Sequence, residues 1–224
     1  MNQDWQNVAF VWCVPLACTA SVERQLSALL DPVEVGRGER FATGDDRRRH
    51  VVSHAVLRLI LSAFTGCDPR VIQIATTVRG KPYMVERGLH FSLSHDADVA
   101  LIAVTTSGRI GVDVERVRPD LRLDVFARPL VPEADVTRIE ELEPEVRTRA
   151  WFQAWTRMEA IAKASGNGIR EWPIDHDERV RFRIWNLDVD EARVGGVATA
   201  PSVGHIMYNS LPDASAAFGR LSLA

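Results

Sequence analysis

The chain has 224 residues, 46% of them hydrophobic and 25% charged. That is an ordinary globular mix, sufficient for one generous domain or two small ones with a real core. A net charge of −3 argues against a large nucleic-acid footprint, though not against a local basic patch. Three cysteines without metal-ligand spacing suit a reducing, cytoplasmic setting, and no apolar run is long enough to span a bilayer.

The first element, VAFVWCVPLA, reads as a strand. The apolar stretch from Val8 to Ala20 imitates a signal peptide, but no Lys or Arg precedes it and Asp4 lies where positive charge is expected, so a buried strand is the better reading. SVERQLSALL has helical spacing and stops at Asp31-Pro32. In DDRRRHVVSHAVLRLILSAF, the residues Val52, Ala55, Val56, Leu59 and Ile60 fall on one helical face, and Gly66 with Pro69 closes the helix. VIQIATT reads as a strand, VRGKPYM as a turn, and LHFSLSHDADVALIAVTT as two strands around a polar break. Ser107-Gly108 is a turn signal. Beyond it come the strand RIGVDVERV, an acidic helix from about Glu133, and a long helix over roughly Glu145 to Ser165, ended by Gly166 and Gly168. RVRFRIWNL, SVGHIMYN and AAFGRLSLA read as strands. The second half repeats the first in outline, which predicts an α+β fold of two similar halves, 1–107 and 108–224.

GVDVE (111–115) carries the first chemical signal. Alternate strand residues face one side, so Asp113 and Glu115 point together, away from Val112 and Val114. Such a pair is screened by solvent, shares a proton, or holds a cation. A hard cation such as Mg²⁺ takes oxygen ligands and keeps waters and substrate phosphates. The bland alternative is an exposed face neutralised by Arg116 and Arg118. A third carboxylate lies on the long helix, where Trp151, Trp155, Met158 and Ala162 fall at core spacing and Glu159 borders them. Glu159 with Lys163 is either a surface i,i+4 pair or a carboxylate at the core's edge in need of a partner. Arg49 shares the stripe of Val52 and Val56, and an arginine pointed there is expected to meet an anion.

Four stretches together carry a family resemblance. RGKP (79–82), FSLSHDADVALIAV (91–104), GVDVE and WTRMEAIAKASGNGI (155–169) occur in the order and spacing of Sfp-type 4′-phosphopantetheinyl transferases, which the chain resembles from about Arg40 to Ile169. The resemblance implies a pseudo-dimer of two α+β halves with the site in the cleft between them. It also implies transfer of the phosphopantetheine arm of coenzyme A to a serine of an apo carrier protein (acyl, polyketide or peptidyl), with release of adenosine 3′,5′-bisphosphate. The metal would be Mg²⁺, with Mn²⁺ as a substitute. Carried over by residue, Asp113, Glu115 and Glu159 would hold the metal, Glu159 being also a candidate base. Lys163 would stabilise the departing phosphate. Ser94, His95, Arg49, Lys81 and, more weakly, Arg37 would bind the nucleotide. PDLRLDVFARPLVP, with Arg116, Arg118, Arg122 and Arg128 beside Leu121, Val125 and Phe126, would dock the carrier. An internal cleft implies a monomer. The chain departs from the family at Met158, where Lys is frequent, and at Asp96, where Ser is expected. The first departure leaves a catalytically weakened binding module for coenzyme A or a carrier as the alternative.

Overall fold

A computed structural model describes residues 5–86, 88–167 and 181–220. Gly168 and Ile169 of the long-helix motif, and the ends of two expected strands at 180 and 221–224, lie outside the described residues.

Strand β1 (Val8–Pro15) is followed by helices α1 (Ala20–Ser27), α2 (Pro32–Gly38) and α3 (Gly44–Thr65). A small hairpin, β2 (Ile74–Thr76) with β3 (Pro82–Met84), leads to β4 (His90–Asp96), β5 (Val99–Thr105) and β6 (Ile110–Arg116). Helix α4 (Leu123–Phe126), a 3₁₀ turn, α5 (Glu133–Glu140) and α6 (Pro144–Ser165) come next. Strands β7 (Arg183–Asp190), β8 (Arg193–Thr199) and β9 (His205–Ser210), then α7 (Ala216–Arg220), complete the described chain.

The strands form two main sheets, β4-β5-β1-β9 and β6-β8-β7. The fold is α+β. Alternation along the strands decides what each face covers. Trp12 and Val14 of β1 and Ile102 and Val104 of β5 pack with Val52, Val56 and Ile60 of α3. Their neighbours Ala9, Val11, Leu101 and Ala103 turn the other way, onto Ile110, Val112 and Val114 of β6. The layers therefore run α3, first sheet, second sheet, α6. The strand β9 does not join the other C-terminal strands; it pairs parallel to β1 in the first sheet, Val8 opposite His205 through Cys13 opposite Ser210.

Three expectations are corrected. AAFGRLSLA does not continue as a strand, because Ala216–Arg220 is helical, started by Asp213 Oδ1 accepting from the Ala216 N–H. Pro82–Met84 is a strand rather than part of a turn. Helix α2 was not expected at all. It is set by a capping box, in which Asp31 Oδ1 accepts from the Val33 and Glu34 N–H groups and Glu34 Oε2 accepts from the Asp31 N–H.

Glycine decides how closely α6 lies on the second sheet. A Cβ at Gly111 would sit 2.0 Å from the Ala160 carbonyl oxygen, and one at Gly196 would sit 2.6 Å from that of Thr156. Both obstacles are backbone, so neither yields cheaply. Gly111→Ala is expected to lower stability toward the upper end of the roughly 1–3 kcal/mol typical of overpacking. A urea midpoint equal to that of the wild type would refute this.

Candidate active site

Gly111, Asp113 and Glu115 share the face of β6 that meets α6, so the close approach at Gly111 brings the carboxylates to the helix that carries Glu159 and Lys163. Asp113 is buried. Its Oδ1 accepts from Ser94 Oγ at 2.8 Å and from Lys163 Nζ at 2.7 Å, and Lys163 Nζ also donates to Ser94 Oγ at 2.8 Å. Asp113 Oδ2 is buried with no hydrogen-bond partner. Glu115 Oε2 accepts from Arg118 at 3.0 Å, and the Trp155 indole donates to the same carboxylate. Trp155, expected in the core, is only half-buried.

Burial raises the pKa of all three carboxyls, and the charge of Asp113 adds to the rise at Glu115 and Glu159. Burial raises Asp113 against the opposing pull of Lys163 and Ser94. Glu115 is pushed up to about 7 by burial, then by the charges of Asp113 and Asp96. Burial, then Asp113, raises Glu159, while Lys163 opposes. This is the electrostatics of a site short of positive charge. In protein without added divalent cation, the folded state holds a proton on Glu115 between about pH 4.5 and about 7, where the unfolded chain has released it. Stability from this group is therefore present below pH 4.5 and lost as pH rises through 7. Wild type should lose urea resistance relative to Glu115→Gln between pH 5 and pH 7.5; parallel pH profiles would refute the shift.

The donor set fits a hard divalent cation. It offers carboxylate oxygens only, one of them buried and unsatisfied. Among the described residues, however, no three acidic or histidine side chains are already drawn into a metal-binding group. Lys163 stands against Asp113 instead.

Cations gather beside the carboxylates. His95 follows Ser94 and keeps an edge in solvent. Burial, then the charges of His54, Lys163 and Arg49, lower its pKa, while Asp96 opposes. Arg49 does not point into the core as its spacing predicts. It lies half-buried at the helix flank, bonded to Asp46 (2.8 Å) and Asp98 (3.3 Å), with Nε buried and unpartnered. Arg37 is exposed on α2, and its charge acts on His50 rather than on this group. Lys81 is not a solvated turn residue. Its Nζ donates to the carbonyls of Ala164 (3.0 Å) and Ile110 (3.2 Å). Burial, then the charge of Arg109, lowers its pKa to about 8. It thereby ties the hairpin turn to the end of α6 and the start of β6. A cleft of about 260 Å³ opens beside it, walled by Gly80, Pro82, Phe91, Leu93 and, across the gap, Ala162 and Lys163.

Two residues, His54 and Ser92, escaped the sequence reading, and Asp96 entered it only as a departure from the family. His54, with Nδ1 3.3 Å from Glu34 Oε1, reaches His95 electrostatically; it lies off the core stripe, and nothing in its spacing points to a partner. Asp96 accepts from the Arg116 N–H at 2.6 Å, and Ser92 Oγ accepts from the Val112 N–H at 3.0 Å. The i, i+2, i+4 series of polar residues 92, 94 and 96 was the available signal.

Two family models divide the chain between them. One, described as 4′-phosphopantetheinyl transferase, N-terminal, matches residues 18–107, and one, described as 4′-phosphopantetheinyl transferase superfamily, matches 109–208. The 4′-phosphopantetheinyl transferase HetI of Nostoc sp. strain PCC 7120 is 34% identical over 163 residues, 71% of this chain and 69% of HetI. The chain belongs to the 4′-phosphopantetheinyl transferase superfamily. The 4′-phosphopantetheinyl transferase AcpT of Escherichia coli strain K12 is also similar, 28% identical over 144 residues, 64% of this chain and 69% of AcpT. In this phosphopantetheinyl transferase, the two matched regions meet at the turn before β6, and the residues of the candidate site come from both. Among the described residues, no helix is long and apolar enough to cross a membrane.

Proposed function

We propose that this phosphopantetheinyl transferase is Sfp-type and moves the 4′-phosphopantetheine arm of coenzyme A to a serine of an apo carrier protein, releasing adenosine 3′,5′-bisphosphate with the help of Mg²⁺. The observation that carries this reading is the buried, unpartnered Oδ2 of Asp113 among three carboxyls of raised pKa, flanked by Lys163, His95 and Arg49. Asp113, Glu115 and Glu159 would hold the cation, which when bound neutralises charge developing on the pyrophosphate as its bridging bond breaks.

The chain's own residues supply the rest. The largely apolar cleft between Pro82 and Leu93 suits a nucleotide base, with residues 1–107 forming the nucleotide side and 108–224 the carboxylate side. Arg49 and His95 offer cationic or hydrogen-bonding groups to the phosphates, and Lys163 stabilises the departing phosphate oxygen. Glu159 can take the proton of the incoming serine only when it is not held as a ligand. Lys81 reaches a phosphate only by leaving two carbonyls. Arg37 is a peripheral contact. On α4, Val125 and Phe126 are 57% and 67% exposed, an apolar pair suited to a carrier helix, with Arg122 and Arg128 alongside.

Arg49→Ala is expected to raise the KM for coenzyme A about tenfold, the scale of one charge-assisted hydrogen bond, with kcat little changed. An unchanged KM removes Arg49 from the phosphate site.

The binding-module alternative rested on Met158. That side chain is 3% exposed and packs with Leu123, Trp151, Phe152 and Val194, so its missing charge faces the core rather than the carboxylates. The deciding experiment is intact-protein mass spectrometry of apo carriers incubated with the enzyme and coenzyme A, with Mg²⁺ or with a chelator. A metal-dependent gain of about 340 Da, one phosphopantetheine, is expected on acyl, polyketide or peptidyl carriers; coenzyme A bound without any gain would leave the binding module.

A further inference from the structure

β4 and β6 lie side by side at the junction of the two sheets without sharing a backbone ladder. Side chains replace the ladder. Ser92 Oγ accepts from the Val112 N–H, Ser94 Oγ donates to Asp113 Oδ1, and Asp96 Oδ2 accepts from the Arg116 N–H. The outer two rungs hold the backbone of β6. Only the middle one holds a carboxylate.

We propose that Ser94 is a positioning residue for Asp113: its hydroxyl fixes Oδ1 so that Oδ2 is presented to the divalent cation. This rests on the metal reading above. The hydrogen inventory supports it. Lys163 is a donor only, so Ser94 Oγ accepts from it, and the one hydroxyl proton goes to Asp113. Ser94 then has no proton left for a phosphate oxygen. The carboxylate is doubly bonded on one oxygen and unpartnered on the other, which is how an outer partner orients a ligand. Ser94 thus links the nucleotide side of the cleft to the metal side by setting one torsion.

The test is Mn²⁺ binding by electron paramagnetic resonance, without coenzyme A, in wild type, Ser94→Ala, Ser94→Thr, Ser92→Ala and Asp113→Asn. Ser94→Ala should weaken Mn²⁺ binding roughly 10–100-fold, as loss of an outer partner does. Ser94→Thr, which keeps the hydroxyl, should restore much of it. Ser92→Ala loosens the same seam without touching Asp113 and should leave the affinity near wild type. Asp113→Asn should abolish binding. If Ser94→Ala binds Mn²⁺ normally and only its KM for coenzyme A rises, Ser94 serves the nucleotide alone and the proposal fails while the metal reading stands. Equal losses in Ser92→Ala and Ser94→Ala would also overturn it, assigning the effect to the seam as a whole. Binding indifferent to Asp113→Asn, or absent in wild type, would remove the metal reading and the proposal together.

Discussion

Glu159→Gln is expected to lower the rate of carrier modification about a hundredfold or more while the protein stays folded. The amide keeps the volume and shape of the carboxyl, so the packing of α6 on β6 is undisturbed. What disappears is one negative charge in a group whose pKa values are already raised, chiefly by burial. Loss of an outer-shell partner costs roughly 10–100-fold in metal affinity or activity, and a direct ligand should cost at least as much. In protein without divalent cation, removing a carboxyl that repels Asp113 should leave the thermal midpoint unchanged or slightly raised. Both can be read on one sample, by a mass-spectrometric time course and a melting curve. Turnover close to wild type would sink the assignment of Glu159. A collapsed melting curve would mean instead that the residue is structural.

The largest effect on stability is expected at Arg58. Its side chain is fully buried. Nε donates to Glu34 Oε2 at 2.6 Å, Nη2 to Asp31 Oδ2 at 2.7 Å, and Nη1 to the carbonyls of Pro69 (2.7 Å) and Ile72 (3.0 Å). One guanidinium thus secures α2 and the loop after α3 against α3 itself. Burial disfavours the charge on Glu34, but His54, the Asp31 N–H and Arg58 together hold its pKa below the ordinary carboxyl value. Arg58→Met leaves that buried carboxylate without its main counter-charge and two carbonyls without donors. A loss of roughly 3–5 kcal/mol follows from breaking a buried pair on one side only. Adding Glu34→Gln to the same protein should recover part of it, and the double-mutant cycle separates the pair from its surroundings. Lysine will not substitute well, because a single ammonium cannot serve four acceptors in a plane. A loss below about 1 kcal/mol for Arg58→Met would be that of a surface pair and would refute the account.

Much of the architecture was legible because it follows from local period. β6 alternates, β1 and β5 are short apolar runs buried on both faces, α3 and α6 carry apolar stripes, and Gly66 and Gly166 close those helices in left-handed conformations. The same period placed Asp113 and Glu115 on one face. What was not legible is non-local or short. Helix α2 has too few buried apolar residues to show a stripe, Val33 being 63% exposed, and only the Asp31–Glu34 box announces it. The tail Ala216–Arg220 is apolar enough for a strand, but the Asp213 side chain caps its first turn and starts a helix. Arg49 was expected inward, yet Asp46 on its own helix and Asp98 in the turn between β4 and β5 hold it back. Lys81 spends its donors on carbonyls contributed by β6 and α6, which no reading of the turn itself could reveal. The partnership of Ser94 with Asp113 needs two strands from different sheets, so sequence shows the participants but not their bond.

The parallel pairing of β9 with β1 has a consequence for how the protein is made. Until residues 205–210 leave the ribosome, β1 has a neighbour on one side only, and the first sheet carries an open edge throughout synthesis of the second. That edge displays Ala9, Val11 and Cys13 with free backbone donors and acceptors, a template for pairing with another nascent chain. The first half therefore cannot mature ahead of the second, although it is translated first. Cutting the gene at the turn between the halves should give an amino-terminal fragment that is soluble only when the carboxy-terminal one is synthesised beside it.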